Sequence, residues 1–112
     1  MTTVRITSGA CGFITMVYIT KSLKKNEPYT VEIKSDCEHV GRMAEDIKKL
    51  DRMAAFIRFN KNPVYKAADR HLKHISCPVP SGVLMALEVE AGFRLPKDAH
   101  IRYMDRVPER ER

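Results

Sequence analysis

The chain has 112 residues, of which 44% are hydrophobic and 30% are charged, and its formal net charge is +6 at pH 7. This length suits one domain, and this composition excludes an intrinsically disordered chain. No run of about 18 apolar residues is present, so we expect no transmembrane helix. Thr3, Arg5 and Thr7 interrupt any apolar region near the N-terminus, which argues against a signal peptide.

The positive charges are spread along the chain and interleaved with Asp and Glu. This distribution predicts a solvated surface and disfavours a nucleic-acid interface, even for the basic segment 21–25. The three cysteines are an odd number for a disulfide framework. We therefore predict a cytoplasmic protein whose thiols are kept reduced.

Three strands are predicted in the first third of the chain. Val4 and Ile6 alternate with polar residues, which indicates a short first strand. Residues 13–20 are β-branched and aromatic and place apolar side chains on both faces, as is typical of a central strand. Residues 29–34 form a third predicted strand with one polar face.

A long first helix is predicted after these strands. Ser35 and Glu38 form a capping box, with Asp36 as an alternative N-cap. Apolar residues then recur at spacings of three and four, which predicts one amphipathic helix over residues 37–58. The apolar positions of this helix are Val40, Met43, Ile47, Leu50, Ala54 and Ile57.

Two further helices and a last strand complete the prediction. Pro63 can open the second helix, and the third helix follows Pro78 and extends to about residue 91. Residues 99–103 alternate as a last strand. Residues 105–112 form a charged tail that is expected to fray.

The predicted order of elements is β-β-β-α-α-α-β, within a single domain over residues 1–104. This order predicts an α+β fold. We expect about four mainly antiparallel strands in one sheet, covered on one face by about three helices.

All three cysteines lie where regular structure is expected to start or stop. Cys11 lies in the small-residue segment 8–12, Cys37 precedes the first helix, and Cys77 precedes Pro78. The free N–H groups and the positive dipole end at the start of the third helix favour the thiolate form of Cys77. If the extended segments before Cys37 and Cys77 run in the same direction, both cysteines lie at one edge of the domain. The loop that carries Cys11 then need only fold over that edge to bring the three thiols together.

Three thiolates from three loops can bind zinc with a fourth donor, or a [4Fe–4S] cluster with one iron left open. Candidate fourth ligands are His39, close to Cys37, and His74, close to Cys77. No Cys-x-x-Cys spacing is present, so convergence of the cysteines must come from the fold. We therefore predict a metal- or iron–sulfur-binding protein, an accessory in metal or sulfur handling.

Two alternatives stay open. The first is a sulfur-relay or redox carrier that acts through Cys77 alone. The second is a non-catalytic interaction module, with a protein partner or a second copy, in which the cysteines are small buried hydrophobes. No Ser/His/Asp arrangement, paired-carboxylate pattern or phosphate-binding loop is evident, so the sequence leaves open whether the protein is an enzyme.

The cysteine motifs also resemble those of known families. The Cys-Pro-Val-Pro motif at residues 77–80 and the segment around it, 72–104, resemble the small sulfur-carrier proteins of the thiouridine sulfur relay. That resemblance implies that Cys77 carries a persulfide. The motif set Ser-Gly-x-Cys-Gly-Phe, Ser-Asp-Cys and Cys-Pro-Val-Pro is similar to a family of small uncharacterised three-cysteine prokaryotic proteins, found largely in anaerobes, and implies no activity. Segment 8–13 also resembles the A-type iron–sulfur carriers, whose paired C-terminal cysteines this chain lacks.

Overall fold

Four strands form one antiparallel sheet in the computed structural model, which describes residues 1–105. Their order in the sheet follows their order in the chain, and each strand pairs with the next. The strands are β1 (Thr2–Thr7), β2 (Ile14–Thr20), β3 (Tyr29–Ser35) and β4 (Lys49–Leu50).

The described residues also form three helices: α1 (Glu38–Asp46), α2 (Pro63–His71) and α3 (Val79–Glu90). Helix α3 contacts β1 and β2, α1 contacts β3, and α2 packs against both other helices. Two short 3₁₀ segments, Gly9–Cys11 and Arg52–Phe56, complete the regular structure. The predicted α+β class is confirmed, and so are the antiparallel sheet and its three helices.

The core lies between the sheet and the helices. Val17 and Ile19 of β2 are fully buried in this core, and Thr15 lies on the same face of the strand. Helix α3 supplies its densest apolar set, Val79, Val83, Ala86 and Leu87. At Gly82 the backbone of α3 lies so close to the Ile6 side chain of β1 that an added Cβ would collide with it. The prediction of β2 as the central strand is correct, since β1 and β3 flank it.

The prediction of one helix over residues 37–58 is wrong. Helix α1 ends at Asp46, and residues 49–50 instead form β4 beside β3. The side chain of Asp51 then accepts a hydrogen bond from the Met53 N–H at 2.8 Å and starts the second 3₁₀ segment.

The apolar spacing identified the core positions correctly but not their conformation. The first five of the six predicted positions are buried: Val40, Met43, Ile47, Leu50 and Ala54. The buried side-chain amide of Asn62 donates to the carbonyl oxygens of Ala54 and Ile57, at 2.7 and 3.0 Å. Because Asn62 satisfies these two carbonyls, the segment forms its hydrogen bonds without a continuous helix.

The predicted last strand is also wrong. Residues 99–103 adopt no regular structure and are exposed, and the fourth strand is β4, between α1 and α2. A short turn at Pro96, with a 2.8 Å bond from the Lys97 N–H to the Leu95 carbonyl, precedes the exposed segment. The Ile101 and Tyr103 side chains are fully exposed, so no packing holds this segment against the sheet.

Most of the predicted charged tail, residues 106–112, lies outside the described residues. Among residues 1–105, no helix is both long and apolar enough to cross a membrane.

Candidate functional site: a cavity lined by three cysteines

All three cysteines line one cavity, with a volume of about 530 Å³. Its walls come from three segments of the chain: 8–15, 37–40 and 72–78. These segments are the β1–β2 connection with the start of β2, the start of α1, and the link from α2 into α3. The fold therefore brings Cys11, Cys37 and Cys77 to the wall of one cavity.

The Cys11 wall is a tight loop between β1 and β2. Gly9 and Gly12 flank the cysteine with φ of 74° and 73°, a left-handed conformation that glycine adopts without strain. The Ser8 N–H donates to the Phe13 carbonyl at 3.1 Å and closes the loop. Cys11 itself is exposed.

Cys37 is the N-cap residue of α1, with extended φ and ψ of −79° and 117°. The predicted capping box is wrong, because no side chain caps this helix. Instead, the Ser35 Oγ accepts a hydrogen bond from the Cys37 N–H at 3.2 Å, and the Thr15 hydroxyl donates to the same oxygen at 2.8 Å. Thr15 is only 1% exposed and Ser35 is half-buried, so this pair of hydroxyls ties Cys37 to the core.

Cys77 lies two residues before the first turn of α3, for which Pro78 is the N-cap. Its own N–H donates to the His74 carbonyl at 3.1 Å, which fixes the turn that leads into the helix. The Cys77 side chain is half-buried and packs against the core.

The protonation of Cys77 differs from the sequence expectation. Burial raises the pKa of the Cys77 thiol above its ordinary value of 9.0, and a hydrogen bond from the Val79 N–H lowers it only in part. The neighbouring Cys37 and Cys11 thiols raise this pKa further through charge repulsion. The expectation that the start of the helix favours the thiolate is therefore wrong for the protein alone, because desolvation outweighs the helix N–H groups.

Both predicted histidine ligands reach the same cavity. His39 and His74 lie in its wall beside Cys37 and Cys77. The His39 Nδ1 lies 3.4 Å from the Arg42 guanidinium, on the outer side of α1. Within residues 1–105, however, no three or more His, Cys, Asp or Glu side chains are gathered closely enough to hold a metal ion.

Sequence reasoning missed the polar groups that support the thiols. Thr15 alternates in step with Val17 and Ile19 along β2, so its side chain lies on the same buried face of the strand. A hydroxyl on such a face requires a partner, and this signal was available in the sequence. Ser35 was predicted as a capping-box residue, and its hydroxyl instead bonds Thr15 and the Cys37 N–H. Lys73, which lies in the cavity wall, gave no comparable signal.

The fold and the site thus define a small α+β domain with three free thiols around one cavity. The model of a family of unknown function (DUF6951) matches residues 2–103, and the chain belongs to that family. The expectation of an uncharacterised family is thereby confirmed. No curated protein and no solved structure matches the chain significantly.

Proposed function

We propose that Cys11, Cys37 and Cys77 together bind an iron–sulfur cluster, and that the protein is a cytoplasmic accessory in metal or sulfur handling. One observation carries this proposal: the three cysteines of the chain come from three separate segments and line one cavity. Reduced cytoplasmic thiols are the form that binds iron.

The electrostatics of the cavity favour a cationic occupant. The pKa of Cys77 is raised by burial and by the neighbouring Cys37 and Cys11 thiols, so its thiolate is disfavoured there without a compensating charge. A bound iron centre supplies that charge and releases the thiol protons. The Val79 N–H, directed at the Cys77 sulfur, then becomes a favourable hydrogen-bond donor to the cluster ligand.

The dimensions of the site favour a cluster over a single ion. Zinc–sulfur bonds of about 2.3 Å place the sulfurs of a tetrahedral site about 3.8 Å apart. The cavity, with a volume of about 530 Å³, is far larger than one ion. In a cluster each thiolate binds a different iron, so the sulfurs stay farther apart. Zinc is the second choice and requires inward movement of the thiols, with His39 or His74 as the fourth ligand.

Anaerobic reconstitution with ferrous iron and sulfide tests the proposal. We expect iron and acid-labile sulfide in near-equal amounts, with the broad visible absorption of a thiolate-bound cluster. The His39→Ala and His74→Ala variants show whether either histidine is a ligand, and His100→Ala, an exposed residue outside the cavity, is the matched control. Stoichiometric binding of zinc without sulfide would indicate a single-ion site instead of a cluster. Binding of neither zinc nor an iron–sulfur cluster would refute the proposal.

A sulfur or redox carrier that acts through Cys77 alone is the second candidate. It is supported by the position of Cys77 before α3, with the Val79 N–H directed at its sulfur. For this candidate, Cys77 must be alkylated faster than the other two thiols. The Cys11→Ser substitution must leave the carrier function unchanged. The raised pKa of Cys77 counts against it, since a carrier thiol reacts as the thiolate.

A further inference from the structure

A second concave surface lies away from the cysteines. We call it the aromatic groove; it has a volume of about 410 Å³ and is lined mainly by residues 55–59, Tyr65, and Leu84 and Met85 of α3. Phe56 is 62% exposed and Phe59 is 75% exposed, although both pack on other aromatic rings. The groove shares no lining residue with the cysteine cavity.

The exposed segment after α3 begins at this groove. We call residues 95–105 the arm; every residue in it is exposed. Arg94, just before the arm, and Ala99 within it line the groove. Beyond Ala99 the apolar side chains Ile101 and Tyr103 lie entirely in solvent. The arm therefore presents a second apolar surface that its own chain leaves unburied.

We propose that two copies of the chain form a two-fold symmetric dimer in which the arm of each copy packs into the aromatic groove of the other. A second copy is the occupant that the structure favours, because the arm meets its own groove only at Ala99 and leaves Ile101 and Tyr103 entirely in solvent. In a two-fold dimer the same pair of surfaces meets twice, so both grooves and both arms are covered at once. Ile101 and Tyr103 are two residues apart, so both side chains lie on one side of an extended arm and can face the groove of the other copy.

The available apolar area is of the size that a stable dimer needs. Aromatic side chains bury about 150–250 Å² each, so Phe56, Phe59 and Tyr103 together offer on the order of 500 Å² per copy. Ile101 and Leu95 add to this, which brings the total toward the roughly 800 Å² per partner of a standard interface. An unburied apolar surface of this extent is uncommon on a monomer.

Analytical ultracentrifugation of the full chain tests the proposal. We expect the wild-type protein to sediment at twice its chain mass of 12.8 kDa. The arm variant Ile101→Asp/Tyr103→Asp should sediment as a monomer, and since neither side chain packs against the domain, its fold should be unchanged by circular dichroism. Leu23→Asp, at a fully exposed apolar residue in the β2–β3 connection, is the matched control and should stay dimeric.

Mixing two variants tests whether arm and groove meet each other. The groove variant Phe59→Asp should also be monomeric alone. A mixture of arm and groove variants retains one intact arm–groove contact per pair, so it should form heterodimers at high protein concentration. A wild-type monomer at every concentration would overturn the proposal, and so would a dimer that survives the arm substitutions. Either result leaves the iron–sulfur proposal untouched, because the two surfaces are separate.

Discussion

The Ser35 Oγ accepts a hydrogen bond from the backbone N–H of Cys37 at 3.2 Å. The same oxygen accepts a hydrogen bond from the hydroxyl of buried Thr15 at 2.8 Å, so the last residue of β3 joins the core side of β2 to Cys37, the N-cap residue of α1. This contact holds Cys37 at the cavity in the protein without any bound group.

Ser35→Ala should lower the free energy of unfolding by about 1–3 kcal/mol, because the Thr15 hydroxyl is then buried without a partner. The double variant Thr15→Val/Ser35→Ala removes the unpaired hydroxyl and should recover the part of the loss that it causes, while the Cys37 N–H still lacks its acceptor. Urea unfolding of the three proteins gives the comparison. A double variant that is less stable than Ser35→Ala would show that the pair does not act as one polar unit.

Cys77 should be the slowest of the three thiols to alkylate at neutral pH, since its pKa is raised by burial and Cys11 is exposed. Cys37→Ser removes a neighbouring thiol that raises the pKa of Cys77 by charge repulsion, and should therefore lower that pKa. Cys11→Ser should lower it less, because the repulsion from Cys11 is the weaker of the two. The pH dependence of iodoacetamide labelling, followed by peptide mass spectrometry, measures both effects. A pKa of Cys77 that stays the same in Cys37→Ser would mean that the two thiols do not interact.

Two glycine substitutions should have opposite effects on stability. Gly82→Ala places a Cβ against the Ile6 side chain, and overpacking of this kind costs about 1–3 kcal/mol. Gly41→Ala, in α1, places its Cβ in open space and should stabilise the protein by about 0.5–1 kcal/mol through helix propensity. Thermal unfolding of both variants checks the pair. If the two substitutions changed the melting temperature equally, α3 would not lie as close to β1 at Gly82 as the structure places it.

Glu90 should make stability depend on pH in acid. Burial opposes ionisation of this carboxyl, but hydrogen bonds from the Thr2 hydroxyl and the Lys21 N–H, with the N-terminal ammonium nearby, hold its pKa below the ordinary 4.5. Its ionised form therefore stabilises the protein fully above pH 4.5, and this stabilisation is lost as the pH falls through the folded-state pKa.

Urea unfolding of wild type and Glu90→Gln across this range tests that prediction. The difference between the two proteins should shrink steadily below pH 4.5. Glu32→Gln, on the exposed surface of β3, is the control and should behave like wild type. A constant difference between wild type and Glu90→Gln would contradict the assignment.

The sequence predicted burial better than conformation. The spacing of Val40, Met43 and Ile47 fits the helix α1, and the same spacing continues through Leu50 and Ala54 although β4 and a 3₁₀ segment follow. The apolar spacing reflects burial of one side of the segment, whether that segment is a helix, a strand or a 3₁₀ turn. The spacing alone therefore could not show where α1 ends. The deciding contacts come from pairing with β3, which precedes α1 in the chain, and from the Asn62 side chain just beyond the segment, and neither contact is visible in the apolar spacing.

The gathering of the cysteines could be predicted in part. Their positions beside expected helix starts and a small-residue loop indicated a common rim, and Cys11, Cys37 and Cys77 do line one cavity. The protonation of Cys77 could not be predicted in this way, because it depends on how deeply the thiol is buried and on which thiols lie beside it. Both are properties of the folded chain.

The most direct test of a shared three-cysteine site is the iron and sulfide content of three single variants, Cys11→Ser, Cys37→Ser and Cys77→Ser, reconstituted anaerobically beside wild type. Circular dichroism of each variant before reconstitution confirms that it is folded. We predict a cluster in wild type and a loss of bound iron and visible absorption in all three variants, since each thiolate holds one part of the same site. Full iron and sulfide content in any one of the folded variants would contradict a site that all three cysteines share.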